Sequence, residues 1–364
     1  MRALIWSLLL VTSALAEDIP TTRLAGAAFK VADRAHTDLA PRADEYLSAE
    51  TRAGRFSGAA LIARDGKVLF SRGYGFANAE HEVPNTPQTK FRLGSVTKQF
   101  TAMAIMILQE RGKLSTQDPV AKYVPDCPDA WRDITLHHVL TYTAGIPNLT
   151  TFPDYRQTMM LPSSIASTVA RFKNRPLEFK PGERFQYSNS GYILLGYIIE
   201  LVSGGSYEDF LRRNIFEPLK MADSGYDHYE PVLKHRAAGY ARPVGKSINA
   251  PYQDMSIPHG AGALYSTTED LLRWDQALYT GQLVSQKSIE TIFTPNKNNY
   301  AYGWMVSEQF GRKEISHGGQ INGFSSFIAR YPADKVCVIV LSNFGQTKPR
   351  QISLDLAAML FGEK

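Results

Sequence analysis

The sequence predicts a mixed α/β (α+β) protein, with an antiparallel sheet contributed by both chain ends, helices flanking it, and a mostly helical domain inserted between. Three observations predict this. A hairpin pattern lies early in the chain, a series of short β-rich segments lies late, and from Leu114 to about Gly260 helical periodicity and Pro/Gly-rich loops replace alternation.

The elements follow in order. Gly58–Arg64 and Lys67–Gly73 read as two strands joined by Asp65-Gly66, the dipeptide that suits a two-residue hairpin turn. Gly94-Ser95 opens a helix in which Val96, Phe100, Met103, Ala104, Ile107 and Leu108 recur at helical spacing, and Gly112 closes it. Most of its other positions are apolar too, which predicts burial on all sides. Ile165–Phe172, Tyr192–Val202 and Tyr207–Ile215 are the clearer helical pieces of the middle region. Thr267–Tyr279 reads as a helix capped by Thr267 or Thr268, with Glu269 and Asp270 in its first turn. Tyr302–Glu308, Lys313–His317, Phe324–Tyr331 and Lys335–Leu341 read as strands separated by Gly-Arg, Gly-Gly and Pro-Ala-Asp turns, and Ile352–Phe361 as a closing helix.

The first sixteen residues combine a basic start, an apolar stretch too short to span a bilayer and Ala14-Leu15-Ala16, the pattern of a cleaved export signal. The predicted organisation is therefore a signal peptide at 1–16, a sheet domain from 17–113 and 261–364, and a helical insertion at 114–260. Export to the periplasm or outside the cell follows, and no later stretch predicts stable membrane insertion. With 44% hydrophobic and 21% charged residues, the remainder has the balance of a folded globular chain. Forty Lys and Arg against 35 Asp and Glu leave a small, scattered surplus with no recognition motif, so no nucleic-acid partner is predicted. Cys127 and Cys337 supply neither a disulfide framework nor a C-x-x-C site, and no histidine has metal-ligand spacing, so no metal is expected. Asn148-Leu149-Thr150 fits a glycosylation acceptor.

Neither G-x-S-x-G nor H-E-x-x-H occurs. The chemistry-bearing candidate is Ser95-Val96-Thr97-Lys98, because residues three apart on a helix share a face and bring the hydroxyl beside the amine. A serine becomes a nucleophile when a neighbouring base takes its proton, and a buried lysine can be that base. The competing reading is a capping serine and a surface lysine. Tyr187-Ser188-Asn189, ahead of a helix, and His317-Gly318-Gly319, at a predicted strand end, are the other two candidates. Each also reads as an ordinary turn.

Taken together and in order, Ser-x-x-Lys, Tyr-x-Asn and His-Gly-Gly resemble the serine β-lactamase/penicillin-binding-protein superfamily, in particular its class C-like branch of β-lactamases, D-amino-acid peptidases and esterases. The blocks Phe91–Lys98, Leu140–Pro147, Gly191–Glu200 and Gly260–Trp274 are similar as well. The resemblance implies a β-lactamase/transpeptidase-like fold, Ser95 as nucleophile, Lys98 and Tyr187 as the proton-handling pair with either as first acceptor, and Asn189 as a contact to the substrate amide. It implies an oxyanion hole from the backbone N–H groups of Ser95 and Gln320, with His317, Gly318 and Gly319 along the substrate, and no cofactor. The implied partner is a small-molecule or short-peptide substrate, with the oligomeric state left open.

Two departures bear on substrate. Penicillin-recognising relatives carry Lys-Thr-Gly or Lys-Ser-Gly where this chain has His317-Gly318-Gly319, so a fixed cation and a hydroxyl for a substrate carboxylate are missing. Tyr142 also stands where many relatives have His. The expected function is an exported serine hydrolase forming an acyl-enzyme on small amides, D-residue peptides or cell-wall fragments. A carboxylesterase is the alternative, followed by a β-lactamase and a non-catalytic ligand sensor.

Overall fold

The computed structural model describes residues 38–241 and 247–363. The signal peptide expected at 1–16 lies outside the described residues. The sheet has six strands: β1 (Gly58–Arg64), β2 (Lys67–Tyr74), β3 (Met305–Gln309), β4 (Arg312–Ile321), β5 (Phe324–Tyr331) and β6 (Val336–Ser342). They lie in the order β3-β4-β5-β6-β1-β2, every pair antiparallel. The chain ends meet at β1 and β6, in register from Gly58 opposite Ser342 to Arg64 opposite Val336.

Asp65 and Gly66 both take positive φ, 50° and 71°, the pair of left-handed residues whose twist matches that of the flanking strands. Because side chains alternate across a strand, the apolar run of β1 feeds both faces of the sheet. Ala60 and Ile62, with Val338 and Val340 of β6, pack under helices α1 (Leu39–Arg52) and α5 (Pro349–Phe361), through Ala43, Leu47, Leu356 and Leu360. Ala59 and Leu61, with Ile339 and Leu341, face α2 (Thr97–Glu110) and α4 (Thr268–Ala277). Burying each large aliphatic or aromatic side chain contributes roughly 1.5–3 kcal/mol, so a sheet covered on both faces carries much of the stability.

Helix α2 is buried from Thr97 to Leu108, as its all-round apolar pattern predicts. One side meets α4, where the Phe100 and Trp274 rings lie 4.4 Å apart and the Trp274 indole N–H donates to Gln99 Oε1 at 2.9 Å. Another side meets α3 (Asn189–Ser203), which ends at Gly204 in the left-handed conformation. Thr267 caps α4 by accepting from the Asp270 N–H.

Three details differ from the sequence expectation. First, β4 does not end at His317: it runs on to Ile321, and the chain reverses at Asn322-Gly323, with Gly323 at φ 79°. Gly318 and Gly319 therefore permit close approach rather than a turn, since a Cβ at Gly319 would fall 1.9 Å from the Leu93 carbonyl oxygen. Second, the helix expected over Tyr207–Ile215 is α-helical only to Leu211 and widens to a π-type turn over Arg212–Phe216. Third, strands of two or three residues, too short to show alternation, appear in and beside the middle region, where Leu264–Ser266 pairs with both Phe91–Arg92 and Gly225–Tyr226.

Candidate active site

Ser95 lies in a tight 3-10 turn, Gly94–Val96, that leads directly into α2. Gly94 has φ 52° and faces β4 so closely that a Cβ there would stand 2.8 Å from the Gln320 nitrogen. Strand β3 pairs with β4 only as far as Ser316, so the segment from His317 to Ile321 has its outer edge free to run beside the Ser95 turn. This juxtaposition brings the main-chain nitrogens of Ser95 and Gln320 to the same end of the cleft, where two N–H donors can serve a developing oxyanion.

One helical turn on, the fully buried Lys98 ammonium has three acceptors for its three N–H bonds: Ser95 Oγ at 2.8 Å, Asn189 Oδ1 at 2.9 Å and the Ala261 carbonyl at 2.7 Å. Burial holds the Lys98 amine below its ordinary value, against the opposing pull of Tyr187. The Tyr187 hydroxyl donates to Ser95 Oγ at 2.8 Å from the opposite wall. Burial raises the Tyr187 phenol, but the Lys98 charge and the polar hydrogens of Lys98, Ser95 and Tyr142 around its oxygen outweigh it and bring the phenol below its usual range. A serine oxygen in contact with both an amine and a phenol, each made easier to deprotonate than in water, is equipped for proton transfer.

Asn189, at the start of α3, is held on both sides. Its N–H donates to Asn148 Oδ1 at 3.1 Å and its Nδ2 to Thr150 Oγ1 at 3.3 Å, which turns its carbonyl oxygen to Lys98. Asn148 and Thr150, read from sequence as a glycosylation acceptor, thus brace the site; the N-x-T pattern carried no signal of that role. Ser95, Asn189 and Gln320 line a cavity of about 430 Å³ together with Thr150, Tyr155 and Gln253.

His317, Gly318 and Gly319 are not among its lining residues. The buried His317 ring has its Nδ1–H donating to the Gly318 carbonyl at 2.6 Å, which leaves Nε2 to accept from the Tyr300 hydroxyl at 3.0 Å. Burial, and then the Lys98 charge, push its pKa down to about 3, so the imidazole is neutral. Gly319 lies against the Leu93 and Ser95 backbone, whereas a Cβ on Gly318 would meet first the Phe327 ring. Tyr300, absent from the sequence candidates, belongs to a phenol cluster with Tyr142, Tyr187 and Tyr192 behind the cleft.

The remaining candidates are dispersed. His137 contacts the Tyr302 hydroxyl, and His259 lies 3.4 Å from Glu200. Both cysteines are free thiols. Among the described residues no group of three or more His, Cys, Asp or Glu side chains is arranged to hold a metal ion, and no helix is long and apolar enough to cross a membrane.

Comparison with known proteins places this architecture. The family model described as Beta-lactamase matches residues 39–362. PbpX of Bacillus subtilis strain 168, which carries the name of a penicillin-binding protein, is 35% identical over 294 residues, covering 79% of this chain and 71% of its own. The octameric penicillin-binding protein homologue from Pyrococcus abyssi superposes with a TM-score of 0.79 at 33% identity, over 89% of this chain and 78% of that one. A D-amino acid amidase from Ochrobactrum anthropi SV3 shares the fold, with a TM-score of 0.75 at 22% identity over 91% and 97% of the two chains. With the family model spanning almost all the described residues, and a 35% identical relative matched over most of its length, this chain belongs to the β-lactamase family.

Proposed function

We propose that the protein is an exported serine hydrolase that forms an acyl-enzyme on small amide substrates, D-residue peptides or cell-wall fragments among them. The observation that carries this reading is Ser95 Oγ held at 2.8 Å by both Lys98 Nζ and the Tyr187 hydroxyl. In the proposed cycle the Ser95 proton passes to Lys98 or Tyr187 while Oγ attacks the substrate carbonyl. The oxyanion forms between the N–H groups of Ser95 and Gln320. The stored proton goes to the departing amine, and water, deprotonated by the same pair, releases the acyl group. Fold similarity to an amidase named for D-amino acids supports the choice of D-configured amides. Export rests on residues 1–16.

The cavity also favours a second reading. None of its described lining residues carries a charge, while Thr150, Asn189, Gln253, Gln320, Asn322 and Gln346 offer neutral hydrogen-bonding groups. Neutral esters suit such a cleft as well as amides do, which keeps a carboxylesterase close behind. The test is intact-mass analysis after a fluorophosphonate probe, with Ser95→Ala beside the unaltered protein, followed by kcat/KM on matched D- and L-amino-acid amides and esters. A single Ser95-dependent adduct with turnover supports the hydrolase, and the amide-to-ester ratio chooses between its two forms. A folded protein that takes no adduct and turns over neither class sinks both and leaves the ligand sensor.

A further inference from the structure

Behind Tyr187 lies a packed group of phenols, none of which the proposed cycle uses. Tyr142 is at its centre, with its ring centroid 4.4 Å from Tyr187, 4.6 Å from Tyr300 and 5.3 Å from Tyr192, and Phe185 edge-on at 5.8 Å. Its backbone has φ 58°, a left-handed conformation that is strained for a bulky side chain and that surrounding structure must hold in place. The Tyr142 carbonyl accepts the Gln186 N–H at 2.9 Å, which ties it to the residue immediately before Tyr187.

The other three hydroxyls are all spoken for. Tyr187 donates to Ser95, Tyr192 to the Leu140 carbonyl at 2.9 Å, and Tyr300 to His317 at 3.0 Å. The Tyr142 hydroxyl is buried without a hydrogen-bond partner. Unpartnered buried donors are rare in folded proteins, because each forfeits its hydration without replacement. Two unusual features, a strained backbone and a spare donor, thus coincide in the residue stacked on the phenol that touches Ser95.

We propose that Tyr142 is a positioning residue for Tyr187: its ring and carbonyl hold the phenol against Ser95, and its spare O–H donates to the Tyr187 oxygen whenever that oxygen has given up its proton. The Tyr142 proton stays on Tyr142 throughout; the proton that moves is the one Tyr187 takes from Ser95 and passes to the departing amine. This rests on the serine hydrolase reading for its catalytic consequence. The groups facing Tyr187 are Lys98 from α2, with Nζ 5.0 Å from the ring centroid, Ser95 from the preceding turn, Tyr192 from α3, and Tyr300. His317, on β4, meets Tyr300 as a neutral ring. Lys98 is the cation in this set, and the neighbouring Tyr142 O–H bears on the Tyr187 phenol in the same direction, favouring its deprotonated form.

The test is Tyr142→Phe in the full chain, which keeps the ring and the carbonyl and removes one oxygen. Tyrosinate absorbance is titrated in the unaltered protein, Tyr187→Phe, Tyr142→Phe and the double variant, so that the Tyr187 transition is obtained by difference with and without the Tyr142 hydroxyl. The transition should move up by about one pH unit, because a hydrogen bond to a charged group is worth about that much. On the best ester substrate kcat should fall about 10-fold or more with KM unchanged, and the acid limb of the rate profile should move up with the phenol. Thermal stability should hold or rise, since an unpartnered buried group has been removed. A Tyr187 transition that stays in place overturns the proposal, whether stability is kept or lost, and leaves Tyr142 a packing role. The titration needs no turnover, so a protein whose Ser95 proves inert defeats the hydrolase reading while the absorbance still decides this one.

Discussion

Gly319 lies against the backbone of Ser95, so close that a side-chain carbon on it would stand 3.0 Å from the Ser95 nitrogen. The same carbon would be 1.9 Å from the Leu93 carbonyl oxygen and 2.4 Å from Ser326 Oγ, which itself donates to that carbonyl at 2.7 Å. Gly319→Ala must therefore push β4 away from the Ser95 turn. Overpacking of this kind costs roughly 1–3 kcal/mol, but the displacement separates the two N–H donors proposed for the oxyanion. We expect a modest fall in melting temperature and a loss of Ser95 labelling by about 100-fold, in line with removal of one oxyanion donor. Unchanged labelling would show that the approach of the two segments does not matter to the chemistry.

His317 makes stability depend on acid. Its pKa in the folded protein is about 3, whereas a histidine in the unfolded chain titrates near ~6.5. As the pH falls from ~6.5 towards 3, the unfolded state takes up a proton that the folded state refuses, so stability is lost by up to about 1.4 kcal/mol per pH unit from this group. His317→Gln, which retains a donor and an acceptor, should show a shallower decline across that window. Denaturant unfolding of both proteins at neutral and acid pH measures it, and parallel curves would refute it.

A cavity whose described lining residues carry no charge offers a substrate carboxylate no paired cation. Stripping water from an unpaired carboxylate is costly. Peptides ending in a carboxamide or ester should exceed the matched free acids in kcat/KM by about 10-fold or more. Equal rates, or a preference for the acids, would point to a cation reaching the cleft from elsewhere.

Asn148 braces Asn189 by accepting its N–H, and also accepts the Thr150 hydroxyl at 3.0 Å. Asn148→Ala leaves both donors short of a partner, at about 1–2 kcal/mol, and frees Asn189 to leave Lys98. Turnover should drop about 10-fold alongside a slightly lower melting temperature. Full activity in this variant would place the control of Asn189 with Thr150 alone.

Stability and chemistry separate at Arg330, which is buried and donates to the equally buried Asp275 at 2.8 Å. Burial raises the Asp275 carboxyl, with Arg330 opposing it. Arg330→Met leaves that carboxylate without its cation, with only Gln276 Nε2 still donating to it at 2.8 Å, and should cost roughly 3–5 kcal/mol, while the Ser95 labelling rate of the folded fraction stays as it was. A variant as stable as the original protein would count against the pair's structural role.

The hairpin of β1 and β2, the all-apolar helix α2 and the Thr267 cap could be read from residues a few positions apart, because dihedral preference, turn chemistry and helical period act over that range. The same locality exposed Ser95 and Lys98, three residues apart across the turn that leads into α2. Tyr187 came from its motif, and its contact with Ser95 spans 92 positions.

Longer separations were settled by packing. The Lys98 ammonium meets Ala261 across 163 positions, and no local pattern encodes that contact. Gly318-Gly319 looked like a turn because glycine permits turns, yet the crowding of Leu93 and Ser95 against β4 makes them an extended passage. The His317 ring is turned to Tyr300 and Asn148 is bound by Asn189, two partnerships that the sequence around each residue does not encode. Local periodicity thus determined the elements and the nucleophile's turn, whereas the partners, tautomers and charge states around Ser95 were decided by which distant side chains share one dry interior, where every polar group must find its partner or go without.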